Sequence, residues 1–251
     1  MSDKDQNPAA TATPSMLSRI ARVTSRRLSP LAKRHVIWFP KPKIAYFRVP
    51  KAANSSTRTL LAQTYGMTVK DGLRPGNDLF WVDRHEACSL TLGQFNKLRK
   101  TTDLWSFSIV RHPVTRLYSC WNNKVQENPT LSPSFLKMGV TSGMDFATFV
   151  ARVAAGSDAN SDIHVQSMSS ILTSRGRLLP DFIGRVETID TDWEVVRDEI
   201  KRRSGITAGP MLRRNVRGKT DLSIVDSLAK STLKQIEARY SEDYERFYPE
   251  G

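Results

Sequence analysis

Residues 48–56 bring together the groups that an anion needs. The run is Arg48-Val49-Pro50-Lys51-Ala52-Ala53-Asn54-Ser55-Ser56. Lys51 supplies a mobile positive charge. Ala52 and Ala53 are small enough for a phosphate to approach the backbone. Asn54, Ser55 or Ser56 can cap a helix, whose first free N–H groups and dipole both favour negative charge. Arg48 and Pro50 complete the loop on its strand side. The nucleotide-triphosphatase pattern GxxxxGK[ST] is absent. Taken alone, the segment also reads as an ordinary strand–turn–helix with an incidental lysine. A second group follows 60 positions later, where Arg111, Pro113, Arg116 and Ser119 stand in one short run. The planar fork of an arginine donates two parallel hydrogen bonds to phosphate oxygens. Arg116 and Ser119 share a face of the helix that Pro113 starts. The alternative is a structural arginine pair.

Positioning these groups requires strands that stop at loops. Lys43–Val49 is rich in β-formers and ends at Pro50, so it reads as a strand, and a helix is predicted over 54–65. Leu104–Val110 reads as a second strand running into Arg111 and a helix. Asp181–Val186 reads as a third, followed by a helix near 191–203. Further helices are expected at 91–99, 145–155 and over most of 221–248, with surface excursions at 66–80 and 127–143. Strands that each precede a helix imply an α/β fold: one domain, a central parallel sheet and helices on its faces. Ligands of such sheets bind at the carboxyl ends of strands, where Lys51 and Arg111 both fall.

The 251 residues carry a net charge of +13, which favours anionic partners without choosing among them. Residues 1–35 hold seven cations against two aspartates and little apolar content, and read as a disordered basic segment ahead of a domain at 36–251. Within it, Arg19–Leu28 can form a basic amphipathic helix on an acidic membrane surface, or stay a solvated tail. No apolar run is long enough to span a bilayer and no secretory signal is evident, so a cytoplasmic protein, peripheral on the inner face of the membrane at most, is expected. Cys88 and Cys120 form no disulfide framework and no metal pattern, although a single bridge between them stays open. No helix-turn-helix, zinc-finger or RNA-recognition signature accompanies the charge, so no specific nucleic-acid partner is expected.

With both motifs in view, the chain resembles the carbohydrate sulfotransferases. Phe47–Ser56 looks like their 5′-phosphosulfate loop. Phe107–Ser119 looks like their 3′-phosphate motif, Arg-x-Pro-x-x-Arg-x-x-Ser. Gly184–Ile189 resembles the family's third core strand, and Ile236–Phe247 its C-terminal ending. Ala52-Ala53-Asn54 departs from the commoner Thr-Gly-Thr or Ala-Gly-Cys run. His112 stands where an acidic or amide residue is usual.

The resemblance implies a P-loop-like sulfotransferase fold and in-line transfer of a sulfuryl group from 3′-phosphoadenosine 5′-phosphosulfate to a hydroxyl of a glycan, polysaccharide or glycolipid, releasing adenosine 3′,5′-bisphosphate. Lys51 would meet the leaving-group charge without a metal, residues 52–56 would cradle the 5′-phosphate, and Arg111 and Ser119 would hold the 3′-phosphate. A base is needed for the acceptor proton. Of four histidines, His85 falls in the interval where related uronyl-type enzymes place a catalytic histidine. Glu86 is its carboxylate alternative, and His164 lies in a segment near the family's acceptor site. Arg217, in the cluster Arg213–Arg217, resembles a segment folding over the nucleotide or meeting an anionic acceptor, or is a solvated charge run. Trp38, Phe39, Trp81 and Trp121 are candidates to stack on sugar or adenine. A donor-binding relative without catalysis and a basic nucleic-acid-binding protein are the competing readings.

Overall fold

The computed structural model describes residues 34–69, 72–82, 84–211 and 223–250. Val36–Phe39 (β1) and Ile44–Phe47 (β2) form a hairpin whose turn closes with Lys43 at φ 55°. Helix α1 (Asn54–Thr64) follows β2, and a 3-10 turn (Asp78–Trp81) leads to β3 (Cys88–Leu90). Thr91 and Gln94 form a capping box at the start of α2 (Leu92–Arg99). Then come β4 (Trp105–Val110) and α3 (Pro113–Trp121), which runs into a π-helical turn (Asn122–Gln126). Short α4 (Pro133–Lys137) and amphipathic α5 (Phe146–Ala154) precede α6 (Met168–Leu172). A small hairpin of β5 (Thr173–Ser174) and β6 (Arg177–Leu178) leads to β7 (Phe182–Arg185) and α7 (Ile189–Ser204). Helices α8 (Ser223–Asp226), α9 (Lys230–Arg239) and α10 (Ser241–Phe247) complete the described chain.

The main sheet has the order β3-β1-β2-β4-β7. Strands β2, β4 and β7 are parallel, as expected, but β1 runs antiparallel to both its neighbours, so the sheet is mixed. The four residues between β1 and β2 are too few for the crossover a parallel pair needs, which forces the hairpin. Because β3 is also antiparallel to β1, it points the same way as β2. Every residue of β2 is buried, since helices cover both faces.

Alternate residues sort between those faces. Ile37, Tyr46 and Phe107 pack with Leu60 and Leu61 of α1 and Trp193, Val196 and Ile200 of α7. Ala45, Phe47 and Val110 pack with Phe95 of α2, Ile171 and Leu172 of α6 and Phe247 of α10. A third cluster joins α3, α5 and α9 around Leu117, Phe149 and Ile236. The expected excursion at 127–143 feeds this helical layer through the buried Phe135 and Val140. Trp38, Phe39 and Trp81 are core residues rather than stacking platforms. No disulfide joins Cys88 and Cys120. Among the described residues, no helix is long and apolar enough to cross a membrane.

Candidate functional site

The loop after β2 turns through the left-handed region twice, with Lys51 at φ 66° and Ala53 at φ 51°. For a residue with a Cβ this costs about 1–2 kcal/mol each. Alternation between right- and left-handed residues turns successive N–H groups to one side and makes an anion-binding concavity. Helix α1 begins directly afterwards. No side chain caps it, and its first turn holds no acid. Its opening amides therefore add to the same concavity. The Asn54 side chain accepts from the Tyr46 hydroxyl at 3.2 Å, which fixes the helix start to β2. Ser55 is exposed and Ser56 buried.

Two arginines fasten this loop to α3. Arg116 is 2 % exposed. Its Nε donates to the Pro50 carbonyl at 3.0 Å, and another guanidinium nitrogen donates to the Gln166 carbonyl at 2.7 Å. Arg111 donates from Nε to Thr115 Oγ1 at 3.1 Å and from a terminal nitrogen to the Lys51 carbonyl at 3.3 Å. The ends of β2 and β4 are thus joined through one guanidinium. Ser119, half-buried, lies one turn beyond Thr115 on the same face of α3. Behind Arg111, Glu187 accepts from the His112 amide and from the Tyr248 hydroxyl, each at 2.9 Å. The His112 ring packs edge-on against Tyr244 and Tyr248, so its place is structural support for the turn.

Lys51 reaches across the loop to Asn123, donating from Nζ to Oδ1 at 3.0 Å. Asn123 in turn donates to Glu127 at 3.3 Å. Burial lowers the Lys51 pKa to about 8, with Lys124 and Arg111 pushing the same way and Glu127 opposing. Asn123 and Glu127 were not anticipated from the sequence. A signal existed: Arg111, Thr115, Ser119, Asn123 and Glu127 recur every four residues, from the residue before the α3 cap to the end of the π-helical turn, and four-residue neighbours meet on a helix. Asn123 lies on that turn.

A model of the sulfotransferase family matches residues 34–249. The chain belongs to the sulfotransferase family. No curated protein and no solved structure matches it at a significant level. The mixed α/β architecture, with its loop at the carboxyl end of β2, is consistent with a sulfotransferase fold.

The remaining expected site residues of this sulfotransferase divide sharply. Arg48 follows β2, but its guanidinium pairs with Asp78 and donates to the Arg34 carbonyl. It braces the strand and does not turn toward the loop. His85 and Glu86 are not brought to this loop. Cys88 is level with Trp38, and Trp38 with Ala45, whereas Leu90 is level with Val36 and Phe47. The chain before Cys88 therefore lies at the amino end of β2, opposite the loop. Arg84 agrees: it donates to the Thr68 carbonyl at 2.9 Å, just past the far end of α1. The eleven residues of α1 span about 16 Å. Both His85 and Glu86 are exposed there. Neighbourhood in sequence misled because β3 approaches the site with its other end.

His164 falls on the side of the loop. It stands two residues before Gln166, whose carbonyl the Arg116 guanidinium ties to Pro50. The buried Cys120 thiol, pushed up to about 12 by burial, senses both Lys51 and Asp162. Trp121 is half-buried and its indole donates to the Met144 carbonyl at 2.7 Å. Arg217 lies outside the described residues.

Glycine takes the left-handed conformation without the Cβ penalty. Ala53→Gly is therefore expected to raise stability by about 0.5–1 kcal/mol, read from urea unfolding midpoints at constant slope. A lower midpoint would mean that the loop is not strained at Ala53.

Proposed function

We propose that this sulfotransferase moves a sulfuryl group from 3′-phosphoadenosine 5′-phosphosulfate to a carbohydrate hydroxyl. One observation carries the reading: the loops that follow the adjacent parallel strands β2 and β4, at their carboxyl ends, are joined by Arg111. A donor with phosphate groups at both the 5′ and 3′ positions of one nucleoside fits two such loops, and a mononucleotide engages only one.

The residues divide the work. Residues 52–56 cradle the 5′-phosphate through the amides of 53–56, since the Ala52 amide donates to the Val49 carbonyl, and Arg111 with Ser119 holds the 3′-phosphate. The donor supplies an activated sulfuryl group. Lys51 faces the oxygen on which charge develops as that group leaves, the contribution expected of a preorganised cation in a transfer with little covalent chemistry for the protein. His164 takes the proton of the attacking hydroxyl, a role supported by the tie of its segment to Pro50 through Gln166 and Arg116 and by its half-exposed ring. The net charge of +13 suits an acidic glycan or glycolipid acceptor. It also suits peripheral contact with an acidic membrane face on the cytoplasmic side.

Calorimetry tests the donor. Adenosine 3′,5′-bisphosphate should bind more tightly than AMP, and Arg111→Ala should remove roughly 10- to 100-fold of that preference. Equal binding of AMP and the bisphosphate to the unaltered chain overturns the reading.

Transfer to a panel of polysaccharides, followed by mass analysis of the products, tests catalysis and the acceptor class. In that assay kcat/KM should fall as pH rises through about 8, because Lys51 is charged below its pKa and neutral above it. A flat profile between pH 7 and 9 would remove Lys51 from the leaving-group role. Finally, His164→Ala should lower kcat by about 10²–10⁴-fold, whereas His85→Ala should leave it within roughly twofold, as expected of an exposed residue away from the chemistry. The reverse outcome would return the base to His85.

A further inference from the structure

We propose that Asp162, itself held by Ser132 and Ser134, is the positioning residue that fixes the His164 imidazole for proton transfer. The inference rests on the reading of His164 as the base, and it adds a part of the site to which neither motif points.

Asp162 is 6 % exposed, yet it is surrounded by donors. Its Oδ1 accepts from the His164 backbone amide at 3.0 Å and faces His164 Nδ1 at 2.7 Å. Its Oδ2 accepts from Ser132 Oγ at 2.8 Å and from Ser134 Oγ. The direction of the Ser132 contact is settled by the carboxylate, which when ionised only accepts. Ser132 Oγ already accepts from the Phe135 amide as the cap of α4, leaving its proton for the carboxylate. Burial alone would raise the Asp162 pKa, but the hydrogen bonds from His164 and Ser134 outweigh it and hold the carboxyl well below the usual range.

Proton bookkeeping then decides the histidine. An ionised carboxylate only accepts, so the ring nitrogen facing it must carry the hydrogen. In a neutral imidazole the other nitrogen, Nε2, then holds the lone pair. The buried carboxylate and the half-exposed ring, 6 % and 30 % accessible, make an inner anchor and an outer working edge. As the acceptor oxygen bonds to sulfur and the bond from sulfur to the nucleotide breaks, the hydroxyl proton passes to Nε2. The imidazolium that forms lies against a negative charge already in place. The serines keep that charge from turning away, so α4, in the stretch read from sequence as a surface excursion, is part of the device.

The test replaces Asp162 by Asn, which keeps size and an acceptor but offers an N–H to the ring. kcat should fall about 10²–10⁴-fold, with affinity for adenosine 3′,5′-bisphosphate unchanged. Nitrogen-15 NMR should show His164 passing from the Nδ1–H to the Nε2–H tautomer. Retained kcat with the Nδ1–H tautomer in Asp162→Asn overturns the proposal while leaving His164 as base, provided His164→Ala is inactive. An active His164→Ala overturns the base reading and this inference with it. Should Asp162→Asn fail to fold, the double variant Ser132→Ala/Ser134→Ala keeps the carboxylate and loses its two tethers. It should show a reduced kcat, unchanged bisphosphate affinity and a mixed tautomer population, and an unaltered kcat and tautomer there would overturn the proposal.

Discussion

The site hangs on one buried guanidinium. Removing Arg116 from water costs several kcal/mol unless its donors and charge are met. Two of its nitrogens donate to the Pro50 and Gln166 carbonyls, the nearby carboxylate of Asp243 offsets its charge, and the third nitrogen stays buried without a hydrogen-bond partner. Asp243 is itself fully buried and accepts from the Met168 and Ser169 amides at the start of α6. A continuous path therefore runs from α10 through the start of α6 to Gln166, and through Arg116 to the residue before Lys51. Neither the loop nor the histidine segment is rigid by its own chemistry. Arg116 ties each to the other.

This arrangement separates two kinds of work. The ends of parallel strands present amides, Lys51 and Arg111, all of which attract negative charge. The helical layer built on α3, α5 and α9 brings in the carboxylates and the imidazole. Asn123 on the π-helical turn and Glu127 just after it sit where the two meet. Such turns recur at functional sites because one extra residue re-aims the side chains that follow.

Most of the strand–loop–helix grammar was legible. Apolar runs stopping at Pro50 and Arg111 located β2 and β4, and the loops after them were placed at the carboxyl ends of their strands. The hairpin partner β1 was harder to see, because a four-residue run before Pro40 carries too few positions to show a period. That omission had a consequence. With β1 inserted antiparallel, the segment before β3 is carried to the far end of the sheet, and His85 goes with it. The Asp162–His164 pairing, by contrast, is local in sequence, yet its meaning depends on Ser132 and Ser134, which lie 30 and 28 residues away. Long-range polar contacts of that kind leave no periodic trace.

The same connectivity sets an order of assembly during synthesis. The β1–β2 hairpin closes over four intervening residues and can form as soon as it leaves the ribosome. The β2–β4 and β4–β7 pairings wait for contacts some 60 and 75 residues apart, and non-local pairings of that kind form slowly. Asp243 and Tyr248 emerge later still, and they are what seats α6 and backs Glu187 behind Arg111. A chain without these last residues would carry Lys51 and Arg111 in full and still lack the contacts that seat α6 and Glu187, so the loops after β2 and β4 depend on the most distant part of the described sequence.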